Sequence, residues 1–295
     1  DFTVNAMAVA LNPDQFGRLV DPHGGRADLQ ARLLRVLHER SFEDDPTRLL
    51  RAARFAYSLG LELEEHTAEL MGRAVAERRL LTISRARVRN ELRRLFADLP
   101  GTALEALQRW ELTHALGWPA APERALARSR ELPRAAQALG LTVAQLQPLP
   151  ASLGLYAAEA GLEPTPLAER LGLDARETAA LQRTHELLTE TPAAVAGGSD
   201  SELYFALEQA PGAAVAALWT AATPSVRERL QYYWRQLRRT RSDVTGVDLI
   251  AAGCLPGPGF AAALRAALRA KLDDGAGRDQ QLRAALEAFG AYDNN

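Results

Sequence analysis

The sequence holds one cysteine, Cys254, and one lysine, Lys271, in 295 residues. A single thiol excludes a disulfide within the chain and any cysteine-based zinc site. The five histidines, His23, His38, His66, His114 and His185, are scattered, and none stands at helical spacing from another. They offer no metal-binding set. No apolar run approaches the ~18 residues of a membrane-spanning helix, and no signal peptide is visible, so a cytoplasmic protein is expected. Charge of neither sign dominates. The formal net charge is −2, so bulk charge does not announce a nucleic-acid partner and local distribution decides. What the chain does have is arginine, alanine and leucine. Apolar residues make up 47% of it, ample for a core, and its length leaves room for two or three small domains. Arginine in place of lysine fits a GC-rich genome. It also has a physical consequence, because arginine is the better phosphate fork.

The most informative stretch is Asp44–Arg54, DDPTRLLRAAR. Arg48, Arg51 and Arg54 recur at intervals of three, which keeps them on one side of a helix turning about 100° per residue. Leu49, Leu50, Ala53 and Tyr57 point the other way. Asp45 stands just before the helix. Cytosine and adenine each present an amino donor beside a ring-nitrogen acceptor, so Asp45 can accept from the amine while Arg48 donates to the nitrogen. Guanine and uracil reverse both groups, and the unpaired contacts would reject them. A second reading makes Asp45 a helix cap, places Pro46 in the first turn and leaves the arginines as a solvated face.

The surroundings of this segment carry a resemblance. The chain opens DFTVNAMAVAL, continues with VDPHGGRADL at Val20–Leu29, and reaches SFEDDPTRLLRAARFAYSLG at Ser41–Gly60. SRARVRNELRRLF follows at Ser84–Phe96, and YWRQLRRTRSDVTGVDLIAAGCLPGPGF at Tyr233–Phe260. In this order the segments resemble the class II tRNA nucleotidyltransferases, a family of CCA-adding and A-adding enzymes and bacterial poly(A) polymerases. The resemblance implies transfer of a nucleoside monophosphate from CTP or ATP to a tRNA 3′ end, with Mg²⁺ as cofactor and no membrane partner. It implies that Asp1 meets the ribose 2′-hydroxyl, that Asp45 and Arg48 read the base, and that Arg51 and Arg54 support the nucleotide. One departure is large. The family's glycine-rich phosphate loop and Asp-x-Asp metal pair are not found. No catalytic residue or metal ligand is therefore assigned here; both are expected upstream of Asp1, and the chain alone is expected to be inactive. A poly(A) polymerase and a non-catalytic RNA-binding protein are the alternatives.

The expected fold is mainly α: the C-terminal remnant of an α/β nucleotidyltransferase palm at 1–40, a helical neck at 41–100, a helical body at 101–223 and a helical tail at 224–295. Ala6–Leu11 and Leu33–Leu37 read as strands, with Asp21–Gly25 turning between them and leading to a short helix. Thr67–Ala76 and Ser84–Leu99 read as helices, and Gly60 as a C-cap. Pro148–Pro150 and Glu163–Pro166 read as breaks, and Leu141–Leu149 and Leu162–Leu173 as small amphipathic pieces. Helices are expected at Ser225–Arg241, from Phe260 to about Asp273, and near Asp279–Phe289, with Asp293–Asn295 frayed.

Two further basic sets stand out. Arg85, Arg89 and Arg93 form a stripe at i, i+4 and i+8, with Glu91 able to pair with Arg87 or Arg94. The stripe reads either as a contact to tRNA phosphates, as support for the nucleotide helix, or as a salt-bridged surface. Arg235, Arg238 and Arg239, mixed with Tyr232, Tyr233 and Trp234, read as an RNA-backbone surface or as the outer face of a core helix. Thr3 and Asn5 are expected to bond nearby backbone.

Overall fold

A computed structural model describes residues 1–293. The chain is 67% helical and divides into two compact units. One comprises residues 1–137, 141–189 and 211–221; the other comprises 138–140, 190–210 and the chain from 222 onward. The expected palm remnant and neck thus fall within a single unit with most of the body, and residues 190–210 join the tail. Among the described residues no helix is long and apolar enough to cross a membrane.

The first unit opens with Phe2, fully buried and edge-on to Phe55 at 6.0 Å. Its strands are shorter than expected. β1 (Ala8–Val9) pairs antiparallel with β2 (Leu19–Val20), while β3 (Leu33–Leu34) pairs parallel with β4 (Glu62–Leu63). The two segments read as strands therefore find other partners, and Asp21–Gly25 is not a turn between them. The reason lies in Asp21. Its carboxylate oxygens accept the backbone N–H groups of Gly25 and Arg26 at 2.8 and 2.9 Å, at the start of α1 (Gly25–Gln30). These are amides a helix cannot satisfy internally. The bonds from Arg26 and Gly25 hold the Asp21 carboxyl below its ordinary pKa against the opposing effect of desolvation.

α1 is then pinned to the chain start. Asp28 accepts the Thr3 hydroxyl at 2.7 Å and pairs with Arg35 at 3.1 Å, and Arg35 also meets Glu64 at 3.1 Å. Thr3 thus bonds a side chain rather than nearby backbone; Asn5 does accept the Phe2 amide, at 3.1 Å. Gly25 is required by contact, because a Cβ there would stand 2.1 Å from the Thr3 carbonyl oxygen.

Four helices follow. They are α2 (Ser41–Asp44), α3 (Thr47–Leu59), α4 (Glu65–Ala76) and α5 (Arg85–Asp98). Gly60, at φ +62°, ends α3 as expected, and Ser84 caps α5. α3 buries Leu49, Leu50, Ala52, Ala53 and Ala56; α5 buries Val88, Leu92, Leu95 and Phe96. These faces meet in one core with Leu34, Phe42 and Met71.

Pro148–Pro150 is not a break. Pro148 opens a helix to Ala160 in which every residue from Pro148 to Ala157 is buried. Proline suits a first turn, where its missing N–H has no helical acceptor to lose. The helix packs against α5 and against helices Ala175–Thr189 and Gly212–Ala221. Its Tyr156 hydroxyl donates to the Pro119 carbonyl at 2.9 Å, and burial pushes the phenol pKa up to about 12. The two expected amphipathic pieces become helices Val143–Leu146 and Pro164–Leu171.

In the second unit the expected helix Ser225–Arg241 ends early. It runs from Pro224 to Arg235, Gln236 leaves helical torsions at φ −122°, and Leu237–Arg239 form a single 3₁₀ turn. The next residues, Thr240, Ser242 and Asp243, favour local bonds over a helix, and the Ser242 hydroxyl accepts the Val244 amide at 3.0 Å. Helices Gly259–Asp274 and Arg278–Asp293 pack together, with Phe260 edge-on to Phe289 at 5.8 Å. They enclose a small core with Val244, Leu249 and the buried thiol of Cys254. Of the expected frayed end, Asn294 and Asn295 lie outside the described residues.

Gly25→Ala is expected to destabilise the first unit by about 1–3 kcal/mol, the usual cost of overpacking a close contact. Gly24→Ala, at φ +73° with open space around it, should cost about 1 kcal/mol through backbone strain alone. Chemical denaturation of the two variants checks the order; equal losses would mean that the Thr3 contact yields.

Candidate functional site

α3 starts at a sharp bend. Asp45 is extended, at φ −144° and ψ 95°, and Pro46 sets the first turn. The Asp45 Oδ1 atom accepts the Thr47 amide at 3.0 Å and the Thr47 hydroxyl at 2.6 Å. The capping role considered for Asp45 is thus realised. It does not exhaust the residue, because Arg87 of α5 also donates to Oδ1, at 2.8 Å. Burial alone would raise the Asp45 carboxyl pKa. The two bonds from Thr47 and the charges of Arg87 and Arg48 outweigh it and hold the group below its usual value.

The arginines of α3 are not a solvated face. The side chains of Arg48, Arg51 and Arg54 are only 19%, 23% and 15% exposed. Arg48 donates to the Ser41 carbonyl and hydroxyl, both at 3.0 Å, and its Nε stands 3.3 Å from Asp1. Arg51 pairs with the other oxygen of Asp1 and approaches Glu91 at 3.6 Å. Arg54 pairs with Asp98 at 2.9 Å and lies 4.6 Å from the centre of the Phe55 ring. Glu91 is 7% exposed and accepts Arg94 at 2.6 Å. The Nε atoms of Arg48, Arg51 and Arg54 and one oxygen of Glu91 are buried without a hydrogen-bond partner.

These groups border a cleft of about 340 Å³ between α3 and α5. Asp1, Asp45, Thr47 and Arg51 form one wall; Arg87, Asn90, Glu91 and Arg94 form the other. Arg48, bound to Asp1 and Ser41, and Arg54, bound to Asp98, are not among the residues that line the cleft. The volume is in the range of small-ligand sites. The lining places an ionised, acceptor-only carboxylate among fixed guanidinium donors, which suits a planar polar ligand presenting both a donor and an acceptor.

Of the second wall the sequence offered only the pairing of Glu91 with Arg87 or Arg94, of which the Arg94 pair forms while Arg87 turns to Asp45. A cleft role went unread, although Arg87, Asn90, Glu91 and Arg94 fall at i, i+3, i+4 and i+7 and so share a face. The stripe singled out instead, Arg85, Arg89 and Arg93, turns toward other helices of the same unit. Arg85 donates to the Glu169 carbonyl at 3.2 Å and Arg89 to the Gly172 carbonyl. Arg93 donates to Glu177 at 2.6 and 2.8 Å and to Asp174 at 2.9 Å; the bond to Glu177 raises its pKa. In the second unit Arg235 donates to the Ala138 carbonyl at 2.5 Å, Arg238 stacks over Trp234 at 3.7 Å, and Arg239 is exposed.

Comparison with known proteins adds the context of this cleft. No family model matches the chain. The A-adding tRNA nucleotidyltransferase of Halalkalibacterium halodurans is 39% identical over 140 residues, 44% of this chain and 32% of that protein. The CC-adding tRNA nucleotidyltransferase of Deinococcus radiodurans is 32% identical over 98% of this chain and 64% of its own length. The chain therefore spans a third to under two thirds of these relatives. Among solved structures, the Thermotoga maritima CCA-adding enzyme complexed with its tRNA superposes with a TM-score of 0.77 over 98% of this chain and 72% of that one, at 24% identity. That similarity establishes a shared, mostly helical fold.

Asp45 carries a pH prediction. Its folded pKa is depressed, so its contribution to stability is present above the unfolded value of about 3.9 and is lost as pH falls through the folded value. Asp45→Asn should melt below the wild type at neutral pH, and the gap should close as pH drops below about 4. Thermal melts of both proteins across that range test this; a gap that stays constant would mean the Asp45 charge adds nothing to the fold.

Proposed function

We propose that this chain, whose homologues are CCA-, CC- and A-adding tRNA nucleotidyltransferases, supplies the nucleotide-selecting and RNA-holding part of such an enzyme. The family resemblance read in its motifs is supported by those homologues. The reaction is transfer of a nucleoside monophosphate from CTP or ATP to the 3′-hydroxyl of a tRNA, with release of pyrophosphate. The observation that carries the reading is the cleft between α3 and α5, where Asp45 is held ionised in the same wall as Arg51, with Arg48 paired to Asp1 of that wall.

In this reading the exocyclic amine of adenine or cytosine donates to Asp45, and Arg48 donates to the neighbouring ring nitrogen. Ser41 holds the Nη1 atom of Arg48, so the guanidinium is oriented before a base arrives. Preorganisation of this kind lowers the ordering cost of binding. Guanine or uracil would set a carbonyl against Asp45 and an N–H against Arg48. Asp1, paired with Arg48 and Arg51 on its two oxygens, accepts the ribose 2′-hydroxyl. Arg51, in the cleft wall, supports the nucleotide. Arg54, bound to Asp98, props α3 from outside.

The carboxylates of the cleft do not fit Mg²⁺. Asp1 is taken by Arg48 and Arg51, Asp45 by Arg87 and Glu91 by Arg94. Among the described residues no group of three or more histidine, cysteine or acidic side chains could hold a metal ion. None of these side chains is assigned to the phosphoryl chemistry.

For RNA, the exposed Arg239 and the Trp234-stacked Arg238 of the second unit are the better candidates for phosphate contacts. The bonds of Arg85, Arg89 and Arg93 within the first unit make them struts between helices.

Two measurements test this reading. Arg48→Ala should relax the preference of the chain for ATP and CTP over GTP and UTP about tenfold to a hundredfold, since a bidentate base contact gives about 1–3 kcal/mol of discrimination. It should also melt below the wild type, since its bonds to Ser41 go with it. Equilibrium binding of the four nucleotides decides; an unchanged preference would remove Arg48 from base reading. Separately, Arg238→Ala with Arg239→Ala should flatten the fall of log tRNA affinity with log salt by roughly 0.7–0.9 for each phosphate that is no longer neutralised. A slope equal to that of the wild type would leave the tail without a role in holding RNA.

A further inference from the structure

The second wall of the cleft bears on the choice of base. Asp45 has two carboxylate oxygens, and three donors converge on one of them. The Thr47 amide, the Thr47 hydroxyl and the Arg87 guanidinium all reach Oδ1, at 3.0, 2.6 and 2.8 Å. An oxygen with three donors is saturated, which leaves Oδ2 as the atom to meet an incoming one. Thr47 belongs to the same helix start as Asp45, so its bonds hold the carboxylate only within α3. Arg87 comes from α5 and ties the carboxylate to the opposite wall.

We infer that Arg87 is a positioning residue for base selection: by holding Oδ1 of Asp45 it turns Oδ2 toward the cleft and fixes the direction in which an amino donor must approach. This rests on the base-reading function proposed above. The competing role for a cleft arginine is to bind nucleotide phosphates. That role suits Arg87 poorly, because a guanidinium already committed to a carboxylate carries little free charge for an anion. Asn90 and Glu91, one turn further along the same face of α5, also line the cleft. Glu91 braces Arg51 and Arg94 there as Arg87 braces Asp45. Selection is thereby shared between two helices, with α3 bearing the groups that meet the base and α5 aiming them.

The test is equilibrium binding of ATP, CTP, GTP and UTP to the whole chain in the wild type, Arg87→Ala and Arg87→Lys. The expected result is that Arg87→Ala narrows the ratio between the favoured and disfavoured pairs about tenfold. The loss should fall on ATP and CTP, with GTP and UTP unchanged within about twofold. Arg87→Lys, which keeps a charged donor, should recover part of the ratio. A common loss of affinity for all four nucleotides would make Arg87 a phosphate or structural residue and overturn the inference. So would a ratio equal to that of the wild type, which would leave the reading of Asp45 and Arg48 standing. A wild type without base preference would overturn that reading and this inference together. Should Arg87→Ala lose its melting transition, Arg87→Gln, which keeps an N–H donor without the charge, is read by the same ratio against Arg87→Lys.

Discussion

Between α3 and α5 the chain places charge where a helix pair would ordinarily place apolar side chains, and the arrangement of the cleft follows from how that charge is paired. Arg87 of α5 meets Asp45 at the start of α3 and Glu91 of α5 approaches Arg51 of α3, while Asp1 pairs with Arg48 and Arg51 and Arg94 with Glu91 beside them. Glu91 is nearly closed off from solvent, and a buried carboxylate persists only with partners that offset the loss of water. Arginine provides them with a rigid fork that cannot lose its charge at physiological pH. Removing any one of these groups would strand its neighbours.

Such a network needs a stiff frame, and the frame is apolar. The opposite faces of α3 and α5 share one core with Phe2, Leu34 and Phe42, and the largely buried helix from Pro148 packs against α5. Arg85, Arg89 and Arg93 extend this support with bonds to the segment 169–177. α5 thus has two charged faces with separate tasks. One is bonded to the helices behind it; the other lines the cleft. Each leaves one buried polar atom without a hydrogen bond, Nε of Arg89 on the first and one oxygen of Glu91 on the second.

The start of α3 was largely legible in the sequence. A helix start, a carboxylate before it and arginines at intervals of three followed from spacing alone, and the structure adds that Asp45 both caps the helix and faces α5. The extent of α5 and the end of α3 at Gly60 were legible for the same reason, since caps are local, whereas α4 begins two residues before the expected Thr67, capped by Glu64. The strands were not, because a two-residue strand has no period to read and takes its identity from its partner. Pro148 misled because proline both breaks a helix interior and opens a helix start, and only the apolar surroundings decide between them. The helix at Pro224 misled in the opposite sense: Leu237 and the arginines that follow continue the pattern past Gln236, while the backbone turns aside.

By itself, the sequence determined the mainly helical class, the resemblance carried by its motifs and the placement of Asp45 with the arginine row, because each rests on residues within a few positions of one another. Only the tertiary structure decided which face of α5 meets α3. Arg85, Arg89 and Arg93 and the set Arg87, Asn90, Glu91 and Arg94 are interleaved on one helix with equally regular spacing. Which set lines a cleft and which braces a neighbour depends on how the helix is rotated, and that is fixed by Val88, Leu92, Leu95 and Phe96 entering the core. A helix bearing arginine on two sides announces both, and packing alone selects the one that lines the cleft.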